Sequence, residues 1–221
     1  DVTLNSVSND GNKPVITANS QNYTFDAVLY ATGRKPNTAN IGLENTDITT
    51  NERGAIVVND TCESSVPGVY AVGDVNGGPQ FTYISLDDFR IVFGALTGNG
   101  QYTLKDRKNI PYTTFLTPPL ARVGLTEEDA INKGYTVKTK EMLVATMPRA
   151  HVNDYLKGAF KIVVNADNDL ILGATLYSQG AEELINLIKM AMDNNIPYTY
   201  FKNQIFTHPT MAENLNDLCN F

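Results

Sequence analysis

Gly68-Val69-Tyr70-Ala71-Val72-Gly73-Asp74 is a short apolar run that stops abruptly at a glycine and an aspartate. A continuous apolar run of this length suits a strand buried on both faces, the kind found in parallel sheets. In open α/β sheets, ligands sit beyond the carboxyl ends of such strands. Gly73 at that point lets a ligand approach the backbone, and Asp74 can accept hydrogen bonds from sugar or polyol hydroxyls. Alone, the pattern more often marks an ordinary turn. A second run, Asp26–Ala31, has the same character and ends at Thr32-Gly33-Arg34-Lys35-Pro36-Asn37. That loop, set by Gly and Pro, reads in isolation as a solvated connection. Two such strand ends in one chain strengthen an α/β reading of the first hundred residues.

Outward from these runs, Asp10-Gly11 is a tight-turn dipeptide that predicts a hairpin between Val2–Val7 and Val15–Thr17. Asn22–Phe25 opens another strand, and Ala55–Val58 alternates between turns. Ser85 can cap a helix carrying Leu86, Phe89, Val92, Phe93 and Leu96, stopped by Gly98-Asn99-Gly100. The densest polar stretch, Lys105–Asn109, marks a domain boundary. Beyond it the pattern becomes α+β. Thr126-Glu127-Glu128-Asp129 opens a short helix, and Val137–Ala145, Ala159–Val164 and Leu170–Tyr177 are predicted strands. Gln179–Asn194 has one apolar stripe of Leu184, Leu187, Ile188, Ala191 and Met192. Thr207-His208-Pro209-Thr210 opens a last helix, with Pro209 at its first position.

Composition narrows the function classes. The 221 residues are 42% hydrophobic and 19% charged, a globular balance, with a formal charge of −7. Phosphate backbones repel so acidic a chain, and its Lys and Arg are scattered, so no nucleic-acid partner is expected. No apolar run approaches the roughly 18 residues of a membrane helix, so no membrane partner is expected either. The start, Asp1-Val2-Thr3-Leu4-Asn5, has no basic patch, apolar core or Met. It is not a signal peptide, and the missing Met suggests processing or a cut from something longer. Cys62 and Cys219 form no C-x-x-C and no zinc spacing, which favours reduced thiols in a cytoplasmic protein and no metal site.

Of two histidines, His208 is the candidate for chemistry. In His208-Pro209-Thr210-Met211-Ala212-Glu213, Pro209 directs the chain and Glu213 can accept a proton from one imidazole nitrogen. The other nitrogen then faces a substrate, as in an oriented general acid/base. The bland alternative is a helix-capping histidine beside a surface glutamate. His151 has no comparable carboxylate except Asp154 and reads as structural. Gly98-Asn99-Gly100-Gln101-Tyr102-Thr103 lacks the third glycine of a pyrophosphate loop, and no P-loop, G-x-S-x-G or H-E-x-x-H occurs.

Together, Ala31–Asn37, Ser65–Asp74 and His208-Pro209-Thr210 with Glu213 resemble, in order, the C-terminal half of class I pyridine nucleotide-disulfide oxidoreductases. That family includes glutathione reductase, lipoamide dehydrogenase and mercuric reductase. Gln80-Phe81-Thr82-Tyr83 and Thr207–Leu218 are most similar to the hypothiocyanous acid or copper(II) reductase branch. The resemblance implies residues 1–33 as the tail of the NAD(P)-binding domain and 34–108 as the second segment of the FAD-binding domain. Residues 109–221 become an α+β dimerisation domain. It implies FAD and NAD(P)H as cofactors of the parent enzyme, with Asp74 on the ribityl chain and Gly73 allowing close approach. Phe81 and Thr82 would meet the pyrimidine end of the flavin, and Gly33 and Arg34 would line the seam between nucleotide domains. His208, oriented by Glu213, would act on the thiol chemistry of the partner subunit in a homodimer.

The family's G-x-G-x-x-G and its C-x4-C pair are not in these residues, so the chain alone is expected to be inert and to bind FAD weakly. Its partner for catalysis would be the N-terminal half of the parent enzyme. A dimerisation module without activity of its own is the alternative, as is a mercuric or glutathione reductase relative. A lone Cys219 disfavours mercury, whose handover needs two thiols.

Overall fold

The computed structural model describes residues 2–221. The chain divides into two compact units, Asp1–Leu104 and Lys105–Phe221.

The first unit opens with an antiparallel meander of β1 (Leu4–Asn9), β2 (Pro14–Ala18) and β3 (Gln21–Thr24). The expected Asp10-Gly11 turn is there: the Asp10 carboxylate accepts from the Lys13 N–H at 3.1 Å, and Gly11 takes φ +105°. Three expected strands are not. Asp26–Ala31 forms no strand, and Leu29 is 88% exposed. A strand of that composition needs neighbours to pair its backbone and cover its faces, and among the described residues none pairs with it. Gly68–Val72 is reduced to one bridge, Glu63↔Tyr70, although Ala71 is buried and its N–H reaches the Cys62 carbonyl at 3.0 Å. Ala55–Val58 likewise contributes only the bridges Thr50↔Ile56 and Val58↔Ser64.

Helix α1 (Thr82–Thr97) starts three residues before the predicted Ser85 cap, because Phe81 is still extended at φ −134°, ψ 145°. It stops where expected, at Gly98 in the left-handed conformation. Its buried face is Ile84, Asp88 and Ile91. Of the predicted apolar residues Leu86, Phe89, Val92, Phe93 and Leu96, only Val92 is half-buried and the others are exposed. Helical spacing identified an apolar face correctly, but nothing among the described residues of this unit covers it.

The second unit is an antiparallel sheet of β4 (Tyr112–Thr114), β5 (Leu120–Gly124), β6 (Val137–Leu143), β7 (Ala159–Asn165) and β8 (Ile171–Tyr177), in the order β4-β5-β8-β7-β6. Helix α2 (Glu127–Asn132) is held by a capping box in which the Thr126 hydroxyl accepts from the Asp129 N–H at 2.9 Å. Helix α3 (Pro148–Val152) is one short turn. Helix α4 (Ala181–Asp193) packs on β8 and β5 through Leu184, Ile185, Ile188 and Ala191. Helices α5 (Tyr198–Asn203) and α6 (Asn214–Leu218) pack together, and α6 also meets β6 and β7. Phe160, Ile162, Leu176, Leu215 and Leu218 are all fully buried in this core.

The last helix departs from expectation. The His208–Pro209 peptide is cis, and α6 begins at Asn214 rather than Pro209. Glu213 Oε1 accepts the Thr210 N–H at 3.0 Å, and Thr210 Oγ1 accepts the Glu213 N–H at 3.2 Å. These reciprocal bonds close residues 210–213 into a turn ahead of the helix.

Candidate functional site

Two constellations of candidate residues lie in separate units. In the first, Val72 is extended and Gly73–Asn76 coils into a single 3-10 turn. Gly73 is buried at φ +73°, and a Cβ there would stand 2.9 Å from Ser85 Oγ. Both its backbone angle and its space therefore require glycine. The turn is anchored by Asp88, which is fully buried on α1. Its Oδ2 accepts from the Gly73 N–H at 2.7 Å and from Asn76 Nδ2 at 2.9 Å. Asp88 thus ties the glycine turn to the helix.

Asp74, next in the turn, is exposed, and its carboxylate makes no hydrogen bond among the described residues. Phe81 and Thr82 stand at the N-terminus of α1, where no side chain caps the helix and no acid occupies the first turn. The positive end of the helix dipole is left open there. Phe81 stacks on Tyr83 with ring centroids 5.0 Å apart and planes 10° from parallel. Gly33, at φ +111°, and Arg34 lie exposed on the loop after residue 31, and a Cβ on Gly33 would meet nothing within 4 Å.

In the second unit His208 and Glu213 do meet. Nδ1 of His208 lies 2.7 Å from Glu213 Oε2, with side-chain exposures of 66% and 18%. The imidazole is therefore held by one nitrogen and presented to solvent by the other. Burial opposes ionisation of Glu213 most strongly. The hydrogen bonds from His208 and the Thr210 N–H, with the His208 charge, outweigh it and hold the carboxyl below its ordinary value. His151, by contrast, lies 2.8 Å through Nε2 from the Ala145 carbonyl and has no carboxylate on it.

Several residues that build these sites were not singled out from sequence. Asp88 was legible: Ile84, Asp88 and Ile91 share one helical face, and an acid on an apolar face must find donors. Asn76, Asn214 and Asn216, which hold turns through their side-chain amides, carry no comparable pattern. Cys219 is fully buried, not a loose tail thiol, and burial pushes it up to about 12 with slight opposition from Lys140. A thiol so placed is a poor nucleophile and metal ligand. Among the described residues, no group of His, Cys, Asp and Glu is placed to hold a metal, and no helix is long and apolar enough to cross a membrane.

Comparison with known proteins gives these constellations a context. Residues 110–219 match the family described as "Pyridine nucleotide-disulphide oxidoreductase, dimerisation domain", and residues 1–88 match "Pyridine nucleotide-disulphide oxidoreductase". The chain is 45% identical over 222 residues to the probable pyridine nucleotide-disulfide oxidoreductase RclA of Escherichia coli, covering 99% of this chain and 50% of that protein. It is 35% identical over 218 residues to mercuric reductase of Staphylococcus aureus, covering 97% of this chain and 40% of the relative. The solved structure of the HOCl-induced flavoprotein disulfide reductase RclA superposes with a TM-score of 0.92 at 44% identity, over 98% of this chain and 50% of that one. Its Cu(II) complex superposes with a TM-score of 0.93, over 98% of this chain and 49% of that one. The chain spans about half the length of the curated relatives it matches. With both units matched and both folds superposed, the chain belongs to the pyridine nucleotide-disulfide oxidoreductase family.

Proposed function

We propose that the chain is the C-terminal part of an FAD-dependent NAD(P)H oxidoreductase that works through dithiol chemistry. In it, residues 1–33 end the NAD(P)-binding domain, 34–108 complete the FAD-binding domain, and 109–221 form the dimerisation domain of a cytoplasmic homodimer. The observation that carries this reading is the His208–Glu213 pair, with Nδ1 held at 2.7 Å and the rest of the imidazole exposed. A carboxylate on Nδ1 fixes the tautomer and steadies an imidazolium, which lets Nε2 take up and return a proton. Nε2 is left to solvent, open to a group from outside this unit. A thiol pair on the partner subunit fits that role.

The residues of the first unit suit FAD. Gly73 lets the turn close against Ser85, Asp74 beside it offers an unpaired carboxylate to hydroxyls, and the open end of α1 at Phe81 and Thr82 favours an electron-rich ring edge. When bound, FAD supplies the electron transfer between nicotinamide and dithiol. Gly33 and Arg34 line the approach between nucleotide domains. The oxidised substrate is a disulfide, hypothiocyanous acid or a metal ion. The relatives described as HOCl-induced and as a Cu(II) complex favour that branch.

On this reading the 221 residues alone dimerise but neither hold FAD tightly nor turn over NAD(P)H. The test is FAD titration and an NAD(P)H assay on the chain alone and on the chain preceded by an N-terminal half of this family, each sized by light scattering. Only the longer protein should be yellow and active. Yellow, active protein from the 221 residues would overturn the proposal. A second reading, an assembly module with no part in catalysis, is favoured by the complete core of the second unit. It predicts that the dimer forms and that the longer protein gains nothing from His208.

A further inference from the structure

The dyad depends on how an exposed strap is held. Residues 204–210 carry His208 between α5 and α6, and Ile205 within it is 95% exposed. Phe206 packs partly against the core, and Thr210 Oγ1 donates to the Thr207 carbonyl at 2.8 Å. Beside the reciprocal Glu213–Thr210 bonds, the remaining side-chain anchors are two asparagines on α6. Asn216 Nδ2 donates to the carbonyls of Phe201 at 2.6 Å, Gln204 at 2.9 Å and Lys202 at 3.3 Å. These are carbonyls at the end of α5, where helix geometry leaves them without N–H partners. Asn214, 3% exposed, donates through Nδ2 to the carbonyls of Thr210 and Met211, both at 3.1 Å.

Helix α6 is itself fixed. Leu215, Leu218 and Cys219 are fully buried, and Lys140 Nζ from β6 donates to the carbonyls of Asp217 at 2.8 Å and Asn220 at 2.6 Å. A five-residue helix has little stability of its own, so packing and this lysine clamp hold it in place. The same helix is preceded directly by Glu213. One rigid body therefore carries the carboxylate and, through its two amides, grips the strap on both sides of the imidazole.

We infer that Asn214 and Asn216 are positioning residues for the His208–Glu213 pair, gripping the strap at its two ends so that Nδ1 stays on Glu213. Neither amide touches His208; each acts through the backbone that carries it. The functional meaning of the inference rests on His208 being the acid/base, but its test does not.

The chain has only two histidines, so imidazole 15N labelling gives two readable side chains, with His151 as an internal control. The unsubstituted chain should show a downfield Nδ1–H resonance for His208, the mark of a short imidazole–carboxylate hydrogen bond. Asn216→Ala should broaden that resonance away while leaving the His151 signals and the backbone signals of β5, β7 and β8 in place. An unchanged His208 resonance in Asn216→Ala would overturn the inference. If Asn216→Ala does not fold, Asn214→Ala, which frees the other end of the strap, decides by the same comparison. Absence of the downfield resonance from the unsubstituted chain would contradict the dyad itself, and with it the proposed acid/base role.

Discussion

Gly73 and Glu213 show how single residues carry the two sites. At Gly73 a side chain would meet both a left-handed backbone and Ser85 Oγ at 2.9 Å. Gly73→Ala should cost the first unit about 1–3 kcal/mol in urea unfolding. Adding Ser85→Gly should recover only the steric share, and complete recovery would show that the backbone angle is unimportant. Glu213 gives a pH signature. Its folded value lies below the roughly 4.3 of an unfolded glutamate, so its contribution is complete above that pH. As pH falls through the lower folded value, the carboxyl protonates and the contribution is lost. The His208 Nδ1–H resonance should therefore persist into the pH range where an ordinary glutamate is already protonating. Its loss already near pH 6 would contradict the assignment. At this scale the sequence was largely legible. His208, Glu213, Gly73 and Asp74 stood in recognisable order; Asp88 was missed, although its place between Ile84 and Ile91 could have marked it. Asn214 and Asn216 were not legible, because an amide that grips carbonyls leaves no periodicity and depends on how α5 and α6 meet.

Among the elements, α1 departs most instructively from its pattern. Its spacing predicts an apolar face of Leu86, Phe89, Val92, Phe93 and Leu96, yet apart from the half-buried Val92 these stand 49–65% exposed. Periodicity reports that a face is apolar and not which part of a protein covers it. The same reasoning applies to Asp26–Ala31, whose composition suits a central strand and which here joins no sheet among the described residues. In the second unit, β6, β7, β8 and α4 fall within a few residues of their predicted bounds because each finds its neighbours in the same unit. The start of α6 was misplaced because Glu213 and Thr210 close a turn where Pro209 suggested a first helical residue. For α1 the expected outcome is specific. Phe89→Ser with Phe93→Ser should change unfolding of the 221-residue chain by no more than about 1 kcal/mol, as exposed sites do. In the longer protein the same pair should sharply lower soluble yield and FAD content. A large stability loss in the short chain would show that the stripe is already covered.

For the whole molecule, the two units stand differently. The second has a continuous core reaching from β5 to α6, whereas the first leaves an apolar helix face and a strand-like run uncovered. The relatives are about twice as long as this chain. In the proposed enzyme the two sites divide the chemistry, the first serving the cofactor and the second moving a proton for a partner's thiols. The most direct test is His208→Ala in the longer, flavin-loaded protein, with flavin reduction by NAD(P)H and steady-state turnover measured on the same preparation. Flavin reduction should proceed at its original rate while turnover falls by about 10²–10⁴-fold, the usual worth of a positioned acid/base. Turnover that is unchanged by the substitution would contradict it.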